Sequence, residues 1–364
     1  MKTPLYENHV ALGARMAPFG GWDMPIQYEG ILAEHEATRK TCGLFDICHM
    51  GEFELRGPTA EADLERLLTQ SIASIAVGQC KYGFLLNDEG GVLDDLTCYR
   101  LANDHFMLVV NAATCAADAS WISARLSRET EFHDISSWTG KLDIQGPTSR
   151  TALEDALEMP LPDLKYFHFA RIPALGHSCL LSRTGYTGEW GYEIYLPMEA
   201  TQALWELLLG KGAMKPIGLG ARDTLRLEVG YPLYGHELSV ERTPVAAFGK
   251  NFISLEKDFI GRPAVEHELR KGAAERLVGL NLTTKRAARA GDPIMLDDRQ
   301  VGVVTSGSLA PSLGHAVAIA YVAREVAESP APLEIAVKGG RLSATITPLP
   351  FYRQGTVRGK NRPA

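Results

Sequence analysis

The stretch from Phe84 to Val110 constrains the fold most. Phe84-Leu85-Leu86 is followed by a turn over 87–91, an alternating run over 92–101, a turn at Asn103-Asp104 and a third apolar run over 106–110. Such punctuation predicts a meander of antiparallel strands. Its middle strand carries Asp94 and Asp95, and two carboxylates in mid-strand oppose β propensity, so something must compensate them. Alternation puts Val92, Asp94, Leu96 and Cys98 on one face and Leu93, Asp95, Thr97 and Tyr99 on the other. Asp95 and Tyr99 are therefore expected on one pocket wall. For Asp94 the expectation is a solvated edge-strand charge or a hydrogen-bonded structural role; for Asp95 it is a functional one. Asn111 ends the next strand, where its amide either reaches the same pocket or serves the turn.

Around this meander the pattern reads as mixed helix and strand. Gly/Pro turns at Gly20-Gly21 and Pro25 precede a helix over about 30–40, and further helices are expected over 58–70, 114–126, 148–157 and 218–229. Strands are expected over 142–145, around Ile172 and over 179–196. From about Leu277 the text changes to short apolar strands separated by Gly, Pro, Asp and Ser, as in 301–305, 316–322 and 333–337, which suggests a small all-β barrel or jelly-roll. The charged stretch 261–276 reads as a linker. No internal repeat is evident. At 364 residues, the chain is expected to form two or three lobes.

Charge and composition exclude several classes. A formal net charge of -7 argues against a binder of nucleic-acid backbones. The basic groups Lys285, Arg286, Arg289 and Arg353, Arg358, Lys360, Arg362 read as solvated surface and a basic tail. No segment approaches the roughly 20 apolar residues of a membrane span, and the start lacks an apolar signal core, so a cytoplasmic location is expected. Cys42, Cys48, Cys80, Cys98, Cys115 and Cys179 include no Cys-x-x-Cys pair, which fits reduced, mostly buried thiols. The histidines are scattered, so no protein metal site is expected. His49 reads as a packed, hydrogen-bonded histidine. Phosphate-loop, nucleophile-elbow and His-Glu-x-x-His motifs are absent, and Ser254-Leu255-Glu256-Lys257 is a weak match to Ser-x-x-Lys.

Two further segments can carry chemistry. In Arg183-Thr184-Gly185-Tyr186-Thr187-Gly188-Glu189-Trp190-Gly191, three glycines three apart precede an alternating strand, serving either tight turns or close approach to a planar ligand. Glu193 then faces away from Tyr192 and Ile194, as a pocket acid or as the outward Glu of a hairpin. Gly218-Leu219-Gly220-Ala221-Arg222 is a Gly-rich helix entry that sets Arg222 and Arg226 one turn apart. The planar fork of arginine suits a carboxylate ligand. Arg226 reads as paired with Asp223 or Glu228 on a solvated helix.

Taken together, these segments resemble the aminomethyltransferase (T-protein) family of the glycine cleavage system over essentially the whole chain. The matching words are Thr3-Pro4-Leu5-Tyr6, Phe19-Gly20-Gly21-Trp22, Gly43-Leu44-Phe45-Asp46, His49-Met50-Gly51, Gly90 to Asp95, Gln145-Gly146-Pro147, Arg183 to Glu189, Gly220 to Glu228, Thr305-Ser306-Gly307 and Pro350-Phe351-Tyr352-Arg353. The resemblance implies an α+β fold: a three-lobed cloverleaf of antiparallel sheets around a central tetrahydrofolate site, closed by a C-terminal barrel. Residues 1–265 would form the folate-binding region, with a second lobe at roughly 52–140 plus 230–265, and 275–356 the barrel. The substrate would be an aminomethyl group on the lipoyl arm of a carrier, the H-protein. Its carbon would pass to tetrahydrofolate, with ammonia and the dihydrolipoyl arm released.

By the same resemblance, Asp95 matches the key carboxylate beside the pterin, and Glu193 the acid that reads the pterin's amino and ring nitrogens. Arg222 matches the ligand-binding arginine and Arg353 an arginine near the lipoyl entrance, while Met50, Tyr82, Tyr99, Asn111 and Tyr186 match pocket positions. Folate N5 must attack a methylene carbon while an amine departs, so positive iminium character develops and a fixed carboxylate can stabilise it or act as a base. Two departures stand out: Cys48 where the family usually has Ser, and 246–252 in place of a segment that usually contains Gly and Trp. On the same scaffold, a folate-dependent demethylase and a non-catalytic folate-binding iron-sulfur maturation protein are the alternatives. The latter's Lys-Gly-Cys-Tyr-x-Gly-Gln-Glu signature is absent, and no Gly-x-Gly-x-x-Gly flavin domain precedes the lobe.

Overall fold

A computed structural model describes residues 1–329 and 331–358; Lys360 and Arg362 of the basic tail lie outside the described residues. The meander forms as its turns dictate. Strands Cys80–Leu86, Val92–Ala102 and His105–Val110 run antiparallel, and Gly51–Arg56 and Glu131–Asp134 extend them into a five-stranded sheet. A second open sheet runs Phe169–Ala174, His177–Ser182, Gly191–Pro197, Thr139–Gln145, Gly43–Asp46 and Lys215–Pro216, with only the last pair parallel. The six strands of the C-terminal region, from Glu275–Leu282 to Gly340–Thr347, close into a barrel because the first pairs with both His315–Ala323 and Gly340–Thr347. The fold is thus α+β with a C-terminal closed barrel.

The two open sheets share one topology, a repeat that the sequence reading missed. Each begins with a strand, continues through Gly-Pro-Thr into a helix, and returns by a three-stranded meander whose last strand pairs with the first. In the first unit Gly57-Pro58-Thr59 leads into Ala60–Leu67, and in the second Gly146-Pro147-Thr148 leads into Ser149–Leu157. In register with that turn the units also share Gly51 and Gly140, Leu64 and Leu153, Glu65 and Glu154, and Leu68 and Leu157, while the turn itself has a demand that side chains cannot vary. Both glycines hold φ near the mirror region, 131° at Gly57 and 139° at Gly146. A Cβ would lie 2.0 Å from the Glu129 carbonyl oxygen at Gly57 and 2.2 Å from that of Thr41 at Gly146.

Each sheet buries one face under helices. Leu96 and Cys98 join Leu64, Leu67 and Ile122 beneath the first, and Leu142, Ile144, Tyr192 and Ile194 join Leu153, Leu204 and Trp205 beneath the second. The opposite faces meet across a third cluster, in which Tyr99, Met107 and Val109 pack on Leu180 and Tyr195. Alternation therefore sends every second residue of both central strands toward a shared interface. The helix Leu219–Glu228 ties this interface to the barrel: Arg226 Nη2 donates to Ser306 Oγ at 2.8 Å, and Glu228 accepts from both the backbone and the hydroxyl of Ser312 at 2.8 Å.

Two expectations need correction here. The stretch 261–276 contains a packed helix, Arg262–Lys271, with Val265 fully buried and Glu266 pairing with Arg262 and Arg270 on the outer face. Its charge density belongs to one helical face rather than to a linker. Arg226 pairs with Asp223, as read, but its side chain is only 2% exposed and also binds Glu237 at 3.0 Å. The six cysteines are free, and all but Cys115 are buried. Among the described residues no helix is long and apolar enough to cross a membrane.

Replacing Gly57 or Gly146 by alanine combines an unfavourable φ with a carbonyl collision. Each change should cost about 2–4 kcal/mol of stability. Urea unfolding should show it as a lowered midpoint; an unchanged midpoint would mean that the turn has another accessible geometry.

Candidate active site

Asp95 stands opposite Phe84 on the neighbouring strand, which puts Tyr82, two residues earlier, on the same face. Tyr82 Oη donates to Asp95 Oδ2 at 2.9 Å. Asn111, just past its strand, donates its Nδ2 to Asp95 Oδ1 at 2.9 Å and to Asp94 Oδ1 at 2.7 Å, while its backbone N–H reaches Asp94 Oδ2 at 2.9 Å. One amide thus clamps two carboxyls. Asp94 is fully buried on an interior strand, so the solvated-edge reading fails and the hydrogen-bonded structural one holds. Its compensation is Asn111.

These carboxyls titrate unusually. Burial pushes Asp95 up to about 7, the neighbouring Asp94 adds to that, and the Tyr82 and Asn111 donors pull it back. Burial, and then the charge of Asp118 on the helix Cys115–Ser123, hold Asp94 well above the carboxylate range. Asp118 is pushed up to about 7, chiefly by burial. Three carboxyls in one poorly solvated place do not all ionise together, and Asp95 changes charge near neutrality.

Glu193 forms the other half. It lies directly across from Asp143 on Thr139–Gln145, and like charges so placed repel unless each has a cation. Lys141 Nζ sits 3.6 Å from Glu193 Oε1, and Arg222 Nη1 3.0 Å from Asp143 Oδ2. Thr184 Oγ1 donates to Glu193 Oε2 at 2.6 Å and Tyr195 Oη at 3.3 Å. Burial raises the Glu193 carboxyl, but Lys141, the Thr184 hydroxyl and Arg222 outweigh it, and the group ends below its ordinary range. Asp143 goes the other way, raised by burial and by the Glu193 charge.

The remaining residues join these halves unevenly. Tyr186 packs its ring 4.9 Å from the Arg222 guanidinium and donates to the Pro232 carbonyl. Met50 Sδ is 3.6 Å from Lys141 Nζ. Tyr99 is fully buried with its hydroxyl 3.0 Å from Tyr195 Oη and 3.5 Å from Glu193 Oε2, so from the strand face it shares with Asp95 it backs Glu193. Arg353 is exposed, bonds the Pro350 carbonyl, and lines a groove on the barrel with Asn281, His315 and Phe351; none of the other eight residues lines that groove.

Sequence reasoning passed over three contributors. Lys141 and Asp143 alternate with Leu142 and Ile144, a pattern that marks a charged strand face, and both are buried. Phe252 was read only as part of a departing segment. It holds φ at +63°, rare for an aromatic residue, and its ring lies 5.0 Å from that of Tyr82. No group of three or more His, Cys, Asp or Glu among the described residues is arranged to hold a metal ion.

The model of the GCVT N-terminal domain matches residues 5–257, and that of the glycine cleavage T-protein C-terminal barrel domain matches residues 275–353. The chain belongs to the glycine cleavage T-protein family. An aminomethyltransferase of Desulfitobacterium hafniense is 42% identical over 360 residues, covering 97% of this chain and 99% of the relative. One of Cutibacterium acnes is 41% identical over 367 residues, covering 97% and 98%. The crystal structure of glycine cleavage system aminomethyltransferase T from Bartonella henselae superposes with a TM-score of 0.93 at 35% identity, covering 98% of this chain and 99% of that one.

For this T-protein, ionised Asp95 as the active form predicts kcat/KM rising with pH through about 7. Tyr82→Phe and Asn111→Ala remove donors that favour the carboxylate, so each should move that limb up by roughly one pH unit. A limb that stays in place, or moves down, would remove Asp95 as its source.

Proposed function

We propose that this chain moves the aminomethyl carbon from the lipoyl arm of the H-protein to tetrahydrofolate, with ammonia, methylenetetrahydrofolate and the dihydrolipoyl carrier as products. The observation that carries this reading is the match to the T-protein family along the chain, with Tyr186 stacked on Arg222 and near enough to feel the charge of Asp95. The reaction balances as written: the carbon leaves sulfur and nitrogen for two folate nitrogens, whose protons go to the thiol and to ammonia.

The side chains suit folate. Glu193, ionised and slightly open, can accept paired hydrogen bonds from the amino and ring N–H groups of a pterin edge, with Tyr99 and Tyr195 fixing its other oxygen. Arg222 and Tyr186 flank it as a stacked cation and ring, and Met50 shares the floor with Lys141. Tyr82 and Phe252 offer aromatic walls. When bound, folate supplies the nitrogen that accepts the carbon. Asp95 offers a fixed carboxylate to the positive charge that develops as the amine departs, and its position in titration lets it take up a proton near neutral pH. Asn111 and Tyr82 set its orientation. Arg353, exposed and apart from this cluster, suits contact with the carrier near the lipoyl entrance.

We assign residues 1–265 to the folate-binding region and 275–356 to the barrel, with the second lobe at roughly 52–140 plus 230–265. Support comes from Lys257, which donates to the Glu65 and Leu68 carbonyls and so ties the later segment to the first sheet. The same reading places the enzyme in the cytoplasm with its folate.

Aminomethylated H-protein and tetrahydrofolate should give ammonia and methylenetetrahydrofolate in equal amounts. Asp95→Asn should lower kcat by about 10²-fold or more while leaving the folate Kd within about threefold. Glu193→Ala should weaken folate binding by about 10–100-fold. Near-full turnover of Asp95→Asn would refute its role, and methylated folate from a methylated donor would replace this reaction with demethylation.

A further inference from the structure

Lys141 is the least expected side chain at the site. It is one of the largest fully buried side chains in the protein, although a buried ammonium is costly and is retained only where something requires its charge. The partners of its Nζ are Glu193 Oε1 at 3.6 Å, Met50 Sδ at 3.6 Å and the face of Tyr195, 4.9 Å from the ring centroid. The closest carboxylate is therefore Glu193.

The groups around Glu193 leave it no substitute cation. From the strand Thr139–Gln145, Asp143 faces it directly with the same charge and holds Arg222 Nη1 at 3.0 Å. From the strand Gly51–Arg56, Glu52 is buried, with Oε1 free of any hydrogen-bond partner, and is pushed up to about 8 by burial, so it is neutral near pH 7 and cannot attract a cation away. The phenols of Tyr99 and Tyr195 and the thiol of Cys80 are all held well above their ordinary ranges by burial, and His49 is held neutral by burial down to about 4. Arg222, engaged with Asp143, acts on Glu193 from farther away.

We propose that Lys141 is a positioning residue that keeps Glu193 ionised at neutral pH, and so sets the charge state in which this T-protein binds folate. The inference rests on the reading that Glu193 takes the pterin edge. Without Lys141, Glu193 loses its nearest cation while Arg222 stays on Asp143, so burial and the facing carboxyl push the Glu193 carboxyl up. A protonated Glu193 presents a donor where the ligand also presents donors, so binding fails in proportion to the protonated fraction. Asp143 is the counterweight. Making it neutral in the same chain releases Arg222 to serve Glu193.

The test is the tetrahydrofolate Kd by titration calorimetry across about pH 6 to about pH 8.5. It compares wild type, Lys141→Met, Lys141→Met with Asp143→Asn, and Glu193→Gln. Taking the ratio of each variant to wild type at each pH cancels the titration of Asp95 and of the ligand. For Lys141→Met the ratio should grow roughly tenfold as pH falls across that range, and the added Asp143→Asn should flatten it. If Glu193→Gln binds as wild type does, the assignment of Glu193 falls and takes this inference with it. If Glu193→Gln weakens binding while the Lys141→Met ratio stays constant with pH, or the double variant keeps the slope, this inference alone is overturned. Lys141→Gln, which retains a donor without the charge, replaces Lys141→Met with the same expected slope should thermal melting show that the latter does not fold.

Discussion

Glu193 and Asp143 face each other across neighbouring strands in a place with almost no water, and the arrangement around them follows from that repulsion. Buried carboxylates so placed need cations of their own, because removing one member of a buried ion pair costs about 3–5 kcal/mol. Lys141 comes from the same strand as Asp143, two residues away. Arg222 must come from elsewhere, and the first turn of Leu219–Glu228 delivers it. That turn approaches so closely that a Cβ on Gly218 would lie 2.3 Å from the Ile26 carbonyl oxygen, and one on Gly220 2.6 Å from Ile31 Cδ1. Glycine at both positions is the condition for Arg222 to reach the floor.

The same helix carries the constraint outward. Arg226 and Glu228, four and six residues beyond Arg222, bind Ser306 and Ser312 of the barrel region. Glu228 also receives Arg39 Nη2 at 2.9 Å, and Arg39 reaches Glu189 at 2.8 Å in the loop that holds Tyr186. The glycine-rich loop, the helix entry and the barrel are thus one hydrogen-bonded network about a single helix. Asp95 belongs to the other sheet and obeys a different rule. Its neighbours are carboxyls and neutral donors, so its charge is left poised, while that of Glu193 is fixed. Two acids on facing sheets come to differ in charge state by their surroundings alone.

Much of this was legible in the residues. Gly/Pro punctuation and alternation located the meander, the barrel strands and most helices, and mid-strand Asp95 announced itself by its cost. What escaped depended on contacts distant in sequence. Asp94 was readable as an edge charge because nothing local shows that Asn111 and Asp118 enclose it. The helix Arg262–Lys271 passed for a linker because one buried apolar residue, Val265, carries its packing. The repeated unit was hidden because its common residues are sparse, Gly-Pro-Thr with Gly51/Gly140 before it and Leu64/Leu153, Glu65/Glu154 and Leu68/Leu157 after it. Lys141 and Asp143 escaped notice because nothing local to the strand Thr139–Gln145 shows that they are buried. Arg353 is the reverse case, named by resemblance yet exposed and outside the cluster.

A crystal structure with tetrahydrofolate bound tests the central claim, that Glu193 and Asp95 belong to one folate site, most directly. The result predicted is a pterin edge on Glu193, flanked by Arg222 and Tyr186, with the reactive nitrogens toward Asp95. Folate bound in the barrel groove beside Arg353, or with its ring edge turned away from Glu193, would contradict it.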